Sequence, residues 1–458
     1  MKLCKIALVG IIAFTACKDE RDLSKYRQMY AKPVSQWSKP SIDESVKDWE
    51  EFAPIPSPAV PKDNEFTHTK AHLGRNLFNE IKLSKSGQIS CESCHRKEMA
   101  SSDNLPRSVG HNGQIHRRNA PSTQMAAFFP ELFWDGRAKS LEEQVLGPLT
   151  DATEMANTIE AAEEAIKNSP EYYPLFVASF GDEEMKKLWA RWYAWILPKT
   201  QQEEDAAKKA IHTHLNTATP KKEDFLGLEK LGKLDAKTLY EIKEQERNIF
   251  NNANFKRAFE PTNKAQTKAL PEIPQSEIEK VKKLITIENI AKAIATFERG
   301  PGIMGARNTR FNAFLKGDYE ALSDEELYGL DLFRHKAGCM NCHYGSLLSD
   351  KKFHNIGLDF YGRALQDLGR YEVTKNPVDV GAFKTPSLVN VSKTAPYMHN
   401  GISPNLIGVI QLFNEGVPVP LMKGAENDAL KPTKSPLIKA LNLNADEIKA
   451  LNAFLKTL

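Results

Sequence analysis

The sequence predicts a mostly α-helical protein with two similar domains, and three observations lead to this fold class. Apolar residues recur at helical spacing, for example in 290–297 and 448–455. Elsewhere Gly and Pro are dense, which is typical of loops and short helices rather than of a sheet. A five-residue motif, Cys-x-x-Cys-His, occurs twice, at Cys91–His95 and at Cys339–His343. The repeat predicts two copies of one kind of domain.

The repeated motif is the attachment signature of a c-type haem. Its two thiols can each add to a vinyl group of one porphyrin, and the adjacent histidine then supplies the proximal ligand to iron. With 6 cysteines and 11 histidines in 458 residues, chance gives about 0.002 matches. A zinc knuckle or a redox Cys-x-x-Cys is the alternative, but both copies carry the terminal histidine. We therefore expect two covalent haems, attached through Cys91, Cys94, Cys339 and Cys342, with His95 and His343 as iron ligands.

The composition is that of a soluble globular protein, with 41% apolar and 26% charged residues. A chain of 458 residues is long enough for two or three hydrophobic cores. Lys and Arg total 62 against 59 for Asp and Glu, and no basic run or stacking motif stands out. We therefore expect no nucleic-acid partner.

The N-terminus predicts an export signal. Two lysines in residues 1–5 precede an apolar run of 11 residues, 6–16, which is too short to span a bilayer. Residues 14–17, Phe-Thr-Ala-Cys, are similar to a bacterial lipoprotein box, with Cys17 as the lipidated residue. A plain secretory signal cut nearby is the alternative. We expect residues 1–17 to be removed or processed on export, and the mature protein to be a periplasm-facing membrane lipoprotein.

The rest of the chain divides by composition. Residues 18–61 end in a segment with four prolines in ten residues, 52–61, which predicts an extended tether. We expect an N-terminal haem domain over 62–182 and a C-terminal haem domain over 281–458.

Between the haem domains, residues 183–280 predict a helical insertion. Aromatic residues that include Trp189, Trp192 and Trp195 cluster at its start, and we expect them to pack it on the protein surface. A partner-docking or membrane-proximal element is the alternative. His212 and His214 could bind a metal, but two histidines in a polar helix more often face solvent.

The motifs around the haem sites follow a recognisable order. The first set is LGRNLF, SCESCH, SVGH, RRNAPS, FWDGR, SLEEQ, GPL and EM, and the second is FHNIG, DLGR, FKTPS and TAPYMHNG. In these motifs the chain resembles the bacterial di-haem cytochrome c peroxidase family, including its MauG-type relatives. The resemblance covers roughly residues 62–182 and 285–458. It implies two mostly helical, cytochrome c-like domains.

The resemblance also implies roles for single residues. His111 matches a removable sixth ligand of the N-terminal haem, with His116 as a weaker competitor. Glu154 matches the catalytic acid–base glutamate, and Trp134 matches an aromatic residue between the haems. A calcium ion between the domains is implied at a set of oxygen ligands, Asn119, Thr394 and Pro396.

The chain departs from the family at the sixth ligand of the C-terminal haem. Members place Met or Tyr fourteen residues after the histidine of Tyr-x-His-x-Gly, and counting from His399 gives Phe413, which has no lone pair for iron. Either Met422 coordinates instead, or the haem has an open or water-bound face. We favour the open face. Without a thioether ligand, the potential of this haem should be lower than that of a Met/His pair.

These features predict a peroxidase that reduces hydrogen peroxide to water at the N-terminal haem. A small redox protein, a cytochrome c or a cupredoxin, would donate the electrons. One alternative is a MauG-type oxidase that stores two oxidising equivalents to modify a protein or small molecule. Another is a non-catalytic di-haem electron carrier. A homodimer is left open.

Overall fold

The computed structural model describes residues 22–196, 273–300, 303, 309–418 and 428–458. In these ranges the chain is mostly helical, as the sequence predicts, with 14 α-helices. They are α1 (Ser24–Tyr30), α2 (His68–Phe78), α3 (Cys91–Cys94), α4 (Leu141–Thr150), α5 (Ile159–Lys167), α6 (Tyr173–Phe180), α7 (Glu183–Ile196), α8 (Gln275–Leu284), α9 (Ile287–Glu298), α10 (Arg310–Leu315), α11 (Asp324–Arg334), α12 (Tyr371–Thr374), α13 (Leu406–Asn414) and α14 (Ala445–Leu455). One small antiparallel sheet pairs β1 (Phe353–His354) with β2 (Phe383–Lys384).

Helices α2 and α4–α9 form the N-terminal half around one hydrophobic core. Its central contact is between α2 and α9, where Leu73 and Leu77 are fully buried and Ile290 is nearly so. The two backbones approach closely at Gly74, where a Cβ atom would lie 1.9 Å from the carbonyl oxygen of Ala293. Only glycine leaves room for this crossing.

Helices α10, α11, α13 and α14 form the C-terminal half around a second core. Its central pair is α11 and α14, and Gly329 repeats the close approach, since a Cβ atom there would lie 2.0 Å from the carbonyl oxygen of Ala450. In each half, a helix that precedes the Cys-x-x-Cys-His motif crosses a later helix at a glycine. The two halves therefore share one packing plan.

Residues 22–55, part of the predicted tether, pack against the C-terminal half. Tyr30 is fully buried, and Trp37 and Phe52 are buried with it in the C-terminal core. The buried guanidinium of Arg334 in α11 lies 5.0 Å from the Trp37 ring and donates a hydrogen bond of 2.6 Å to the carbonyl oxygen of Ser38. Because this contact buries large aromatic side chains, the segment is part of the folded body rather than a free spacer.

The ends of the predicted insertion belong to the N-terminal core. Trp189 and Trp192 in α7 are each 1% exposed, and Val281 in α8 is fully buried beside them. Helix α9, which the predicted division gives to the C-terminal domain, packs on α2 and α4. From this packing we propose that the domain boundary falls after Glu298 rather than at residue 281.

Several predicted features lie outside the described residues, among them the export signal with Cys17, the middle of the insertion, and the pair His212 and His214. Within the described ranges, no helix combines the length and the apolar character that crossing a bilayer requires.

Candidate haem cavity and distal site

A cavity of about 460 Å³ lies between the two halves, and both Cys-x-x-Cys-His motifs line it. The four cysteines of the motifs are free thiols, and all four line the cavity. Ile290 and Ile294 of α9 line it from one half, and Ile410 of α13 lines it from the other. The mostly apolar wall with four thiols is what covalent attachment of two porphyrins requires.

The two motif histidines are held in the orientation that iron ligation needs. His95 Nδ1 lies 3.3 Å from the carbonyl oxygen of Ser101, and His343 Nδ1 lies 2.8 Å from that of Leu348. A carbonyl oxygen only accepts, so each Nδ1 carries the proton and each Nε2 keeps its lone pair. Burial also lowers the pKa of both rings, which favours the neutral form that binds metal. The residues present therefore fit two c-type haems.

Glu154 lines the same cavity as His95, directly after the turn that ends α4. Its Oε1 lies 2.8 Å from His116 Nε2, and Asp151 Oδ2 lies 3.9 Å from the same nitrogen. Burial lowers the pKa of His116, but the hydrogen bond and the charge of Glu154 outweigh burial and raise it. A half-buried imidazole and a carboxylate thus share one hydrogen bond at the cavity wall.

His111 lies in a one-turn 3₁₀ helix, His111–Gly113, whose backbone is joined to Glu154. The His111 amide donates to the Glu154 carbonyl oxygen over 2.8 Å. At Gly110 a Cβ atom would lie 2.0 Å from the carbonyl oxygen of Thr153, so glycine is needed for this contact. His116 lines the cavity, whereas His111 does not, and His111 Nδ1 is buried without a hydrogen-bond partner in the described part of the chain.

Trp134 lies where the two halves meet. It lines the cavity and its indole nitrogen donates to the carbonyl oxygen of Asn119 over 2.9 Å. Its ring centroid is 6.4 Å from that of His399, which stacks at 3.7 Å on Phe383. Trp134 thereby joins a contiguous group of aromatic rings that reaches from one half into the other.

Sequence reasoning missed a buried charge bridge between the halves. Arg118 Nη1 lies 2.5 Å from Asp135 Oδ2, and Arg118 Nε lies 2.7 Å from Asp367 Oδ2. All three side chains are 4% exposed. Each lies within a motif quoted above (RRNAPS, FWDGR and DLGR), but nothing in their spacing indicated that the three would meet.

A second missed group is Glu298, at the end of α9. It is 3% exposed and lines the cavity, and its Oε2 has no hydrogen-bond partner among the described residues. Burial raises its pKa to about 8. A lone Glu next to Arg299 gives no sequence signal for such a position.

The predicted calcium ligands lie along one wall of the cavity, since Asn119, Thr394 and Pro396 all line it. The loops that carry them are joined, because the Asn119 amide donates to the His399 carbonyl oxygen over 2.7 Å. Amide, hydroxyl and carbonyl oxygens are acceptable calcium ligands, so the donor set fits the ion. The calcium site stays a prediction.

The residue at the position expected for the sixth ligand of the C-terminal haem has an apolar ring and lies at the cavity. Phe413 lies near the end of α13 and lines the cavity together with His343. Met422, the alternative ligand, lies outside the described residues.

The fold and this cavity fit the class of di-haem c-type redox proteins. Comparison with known proteins points to one family within this class. The family described as di-haem cytochrome c peroxidase matches residues 68–226. Cytochrome-c peroxidase IdrP1 of Pseudomonas sp. (strain SCT) is 27% identical over 434 residues, which cover 89% of this chain and 85% of the relative. Methylamine utilization protein MauG of Methylorubrum extorquens is 27% identical over 400 residues, 87% of this chain and 80% of the relative.

A solved structure of a MauG-like protein associated with microbial copper homeostasis matches with a TM-score of 0.56 and 27% identity, covering 91% of this chain and 95% of that chain. The di-haem peroxidase BthA from Burkholderia thailandensis shares the fold at a TM-score of 0.55, with 19% identity and 92% of each chain covered. The chain is thus similar to the di-haem cytochrome c peroxidases and to MauG, and this similarity implies two c-type haems.

Proposed function

We propose that this protein is a peroxidase that reduces hydrogen peroxide to water at its N-terminal haem. The observation that carries the proposal is the position of Glu154, whose carboxylate lies at the wall of the cavity that His95 also lines. Cleavage of peroxide needs an acid–base group within reach of the peroxide oxygens. The bound haems would supply iron for peroxide and the two one-electron carriers for its reduction.

Glu154 would move the protons of this reaction. Reduction of one peroxide consumes two electrons and two protons and yields two waters. The Glu154 carboxylate would take a proton from one oxygen of the peroxide and return it to the other oxygen, so that this oxygen would leave as water rather than as hydroxide. The apolar wall formed by residues such as Leu149 and Met155 limits access of other water molecules.

His111 would gate this site. We propose that it is the removable sixth ligand of the N-terminal haem and that prior reduction of the other haem releases it. The short turn His111–Gly113 supports the gate, because it has a left-handed residue, Asn112, at φ 55° and is joined to Glu154 through one backbone hydrogen bond. Because His111 lies in a short turn outside the α-helices, its side chain can move without unfolding a helix.

Electrons would come from a small soluble donor. A cytochrome c is the donor that the names of the peroxidase relatives contain, and a cupredoxin is the alternative. We propose that Trp134 lies on the electron path between the haems, since it lines the cavity and contacts His399 of the other half. The calcium ion at Asn119, Thr394 and Pro396, the lipid on Cys17 and the periplasmic location complete the proposal.

A second candidate function is favoured by Phe413. A C-terminal haem without a Met ligand is a poorer high-potential donor, and the chain is as similar to MauG as to the peroxidases. A MauG-type oxidase, which would modify a protein or small molecule, is therefore the alternative.

The test is stopped-flow oxidation of a reduced small cytochrome c by hydrogen peroxide. The fully oxidised enzyme is compared with enzyme given one electron per two haems. Fast turnover only after that electron supports the gated peroxidase, and His111→Gly should then remove the need for it. Turnover in both forms would contradict the gating role of His111 and would leave the peroxidase activity supported. Absence of turnover, with a peroxide-induced haem spectrum that persists, favours the MauG-type function.

A further inference from the structure

The ring of His116 is fixed at both of its nitrogens. Nε2 lies 2.8 Å from Glu154 Oε1. Nδ1 lies 3.2 Å from the carbonyl oxygen of Arg118 and 3.3 Å from the Arg118 amide. The His116 amide donates to the carbonyl oxygen of Ser108 over 2.8 Å. The ring therefore has little freedom to turn at the cavity wall.

The hydrogen bond between His116 and Glu154 can form in several protonation states of the two side chains. In each of these states one proton lies between Nε2 and the carboxyl oxygen. A carboxylate oxygen accepts, so Nε2 must donate, and a protonated carboxyl would donate to Nε2 instead. Nδ1 can adapt, because the Arg118 carbonyl accepts from a protonated Nδ1 and the Arg118 amide donates to an unprotonated one. The hydrogen bond between the ring and the carboxyl thus survives when either group changes its proton.

Glu154 depends on this bond for its orientation. Within the described ranges, no other side chain forms a hydrogen bond with its carboxylate, and the remaining contacts of Glu154 are made by its backbone. A partly exposed glutamate held only at its backbone would sample several rotamers. His116 restricts it to one direction along the cavity wall.

The anchor of His116 is rigid. Arg118, whose peptide holds Nδ1, places its guanidinium in the buried bridge to Asp135 and Asp367. Movement of the ring would therefore strain the contact between the two halves. The position of the Glu154 carboxylate follows from the packing of the whole molecule rather than from its own loop.

We propose that His116 is the positioning residue for Glu154 and holds its carboxylate in the orientation that proton transfer to peroxide requires. This inference rests on the acid–base role proposed for Glu154. It gives His116 a role other than iron ligation.

The test is steady-state peroxidase kinetics of haem-loaded His116→Phe and His116→Gln, with Gln114→Ala, an exposed position in the same loop, as the matched control. A misplaced catalytic group costs roughly 10²-fold in rate, so kcat should fall about 10²-fold in the Phe variant. KM for peroxide should change little. The Gln amide can donate to the carboxylate and should restore most of kcat. All variants are first checked for haem content and far-UV circular dichroism.

A double-variant comparison separates positioning from an independent effect. If His116 acts through Glu154, His116→Phe should add little to the loss caused by Glu154→Gln. Additive losses, an unchanged kcat in His116→Phe, or a Gln variant as slow as the Phe variant would each overturn the proposal. So would loss of a low-spin signal of the N-terminal haem in His116→Phe, because that result would make His116 an iron ligand.

The same variants distinguish the acid–base role of Glu154 from the positioning role of His116. Full activity of Glu154→Gln would refute the acid–base role itself. A severe loss in Glu154→Gln together with an active His116→Phe would refute only the positioning role.

Discussion

The buried bridge between the halves predicts a pH-dependent loss of stability when Asp367 is changed to Asn. Arg118 forms two hydrogen bonds of 2.7 Å with the Asp367 carboxylate. Burial alone would raise the pKa of Asp367, but the hydrogen bonds and the charge of Arg118 outweigh it and lower the pKa from 3.8 to about 2. Asp367→Asn keeps the shape of the side chain and removes its charge.

The magnitude follows from the pKa. One pKa unit corresponds to about 1.4 kcal/mol, so the carboxylate contributes about 2.5 kcal/mol to the free energy of unfolding at neutral pH. Because the folded-state pKa is the lower one, this contribution is complete above pH of about 5 and is lost as the pH falls through about 2. The same linkage leaves about 1.3 kcal/mol at pH 3.

The assay is guanidinium unfolding of the haem-loaded protein, followed by far-UV circular dichroism at pH 7 and pH 3. Asp367→Asn should lose about 2.5 kcal/mol at pH 7 and about half of that at pH 3. The exposed Asp318→Asn is the control and should change little at either pH. An equal loss at both pH values would refute the linkage, and no loss at pH 7 would refute the stabilising role of the charge.

Three further substitutions test other parts of the structure. Gly74→Ala should destabilise the N-terminal half by about 1–3 kcal/mol, since the new Cβ would overlap the Ala293 carbonyl oxygen. Thermal unfolding measures this loss. A variant as stable as the wild type would contradict the close approach of α2 and α9. Trp37→Ala should cost about 3–5 kcal/mol because its ring is buried in the C-terminal core, whereas a residue of a free tether would cost nothing. Met422→Ala should leave the visible and electron paramagnetic resonance spectra of the C-terminal haem unchanged if that haem has an open face, and a spectral change would identify Met422 as its ligand.

Local sequence determined much of the fold and part of the site. The two Cys-x-x-Cys-His motifs are contiguous, so their thiols and histidines must lie together in any fold. The helical spacing of apolar residues in 290–297 and 448–455 likewise predicts α9 and α14, because a helix forms from neighbours along the chain. Resemblance added what spacing could not, such as the candidates Glu154 and Trp134.

Only the tertiary structure decided which distant residues meet. The sequence of 18–61 predicts a tether from its prolines, but the burial of Trp37 and Phe52 depends on a core formed more than 250 residues later. The boundary that we propose after α9 rests in the same way on the contact of α9 with α2.

In the candidate site, too, the sequence predicted single residues, and only the tertiary structure showed which of them meet. His116 ranked below His111 on sequence alone, and its bond to Glu154 became visible only once the two loops were placed side by side. Arg118 and Asp367 are 249 residues apart, and no local pattern encodes their contact. Motifs fix what lies within a few residues, whereas burial and charge pairing between the halves depend on how the helices pack, and packing fixes the orientation of Glu154.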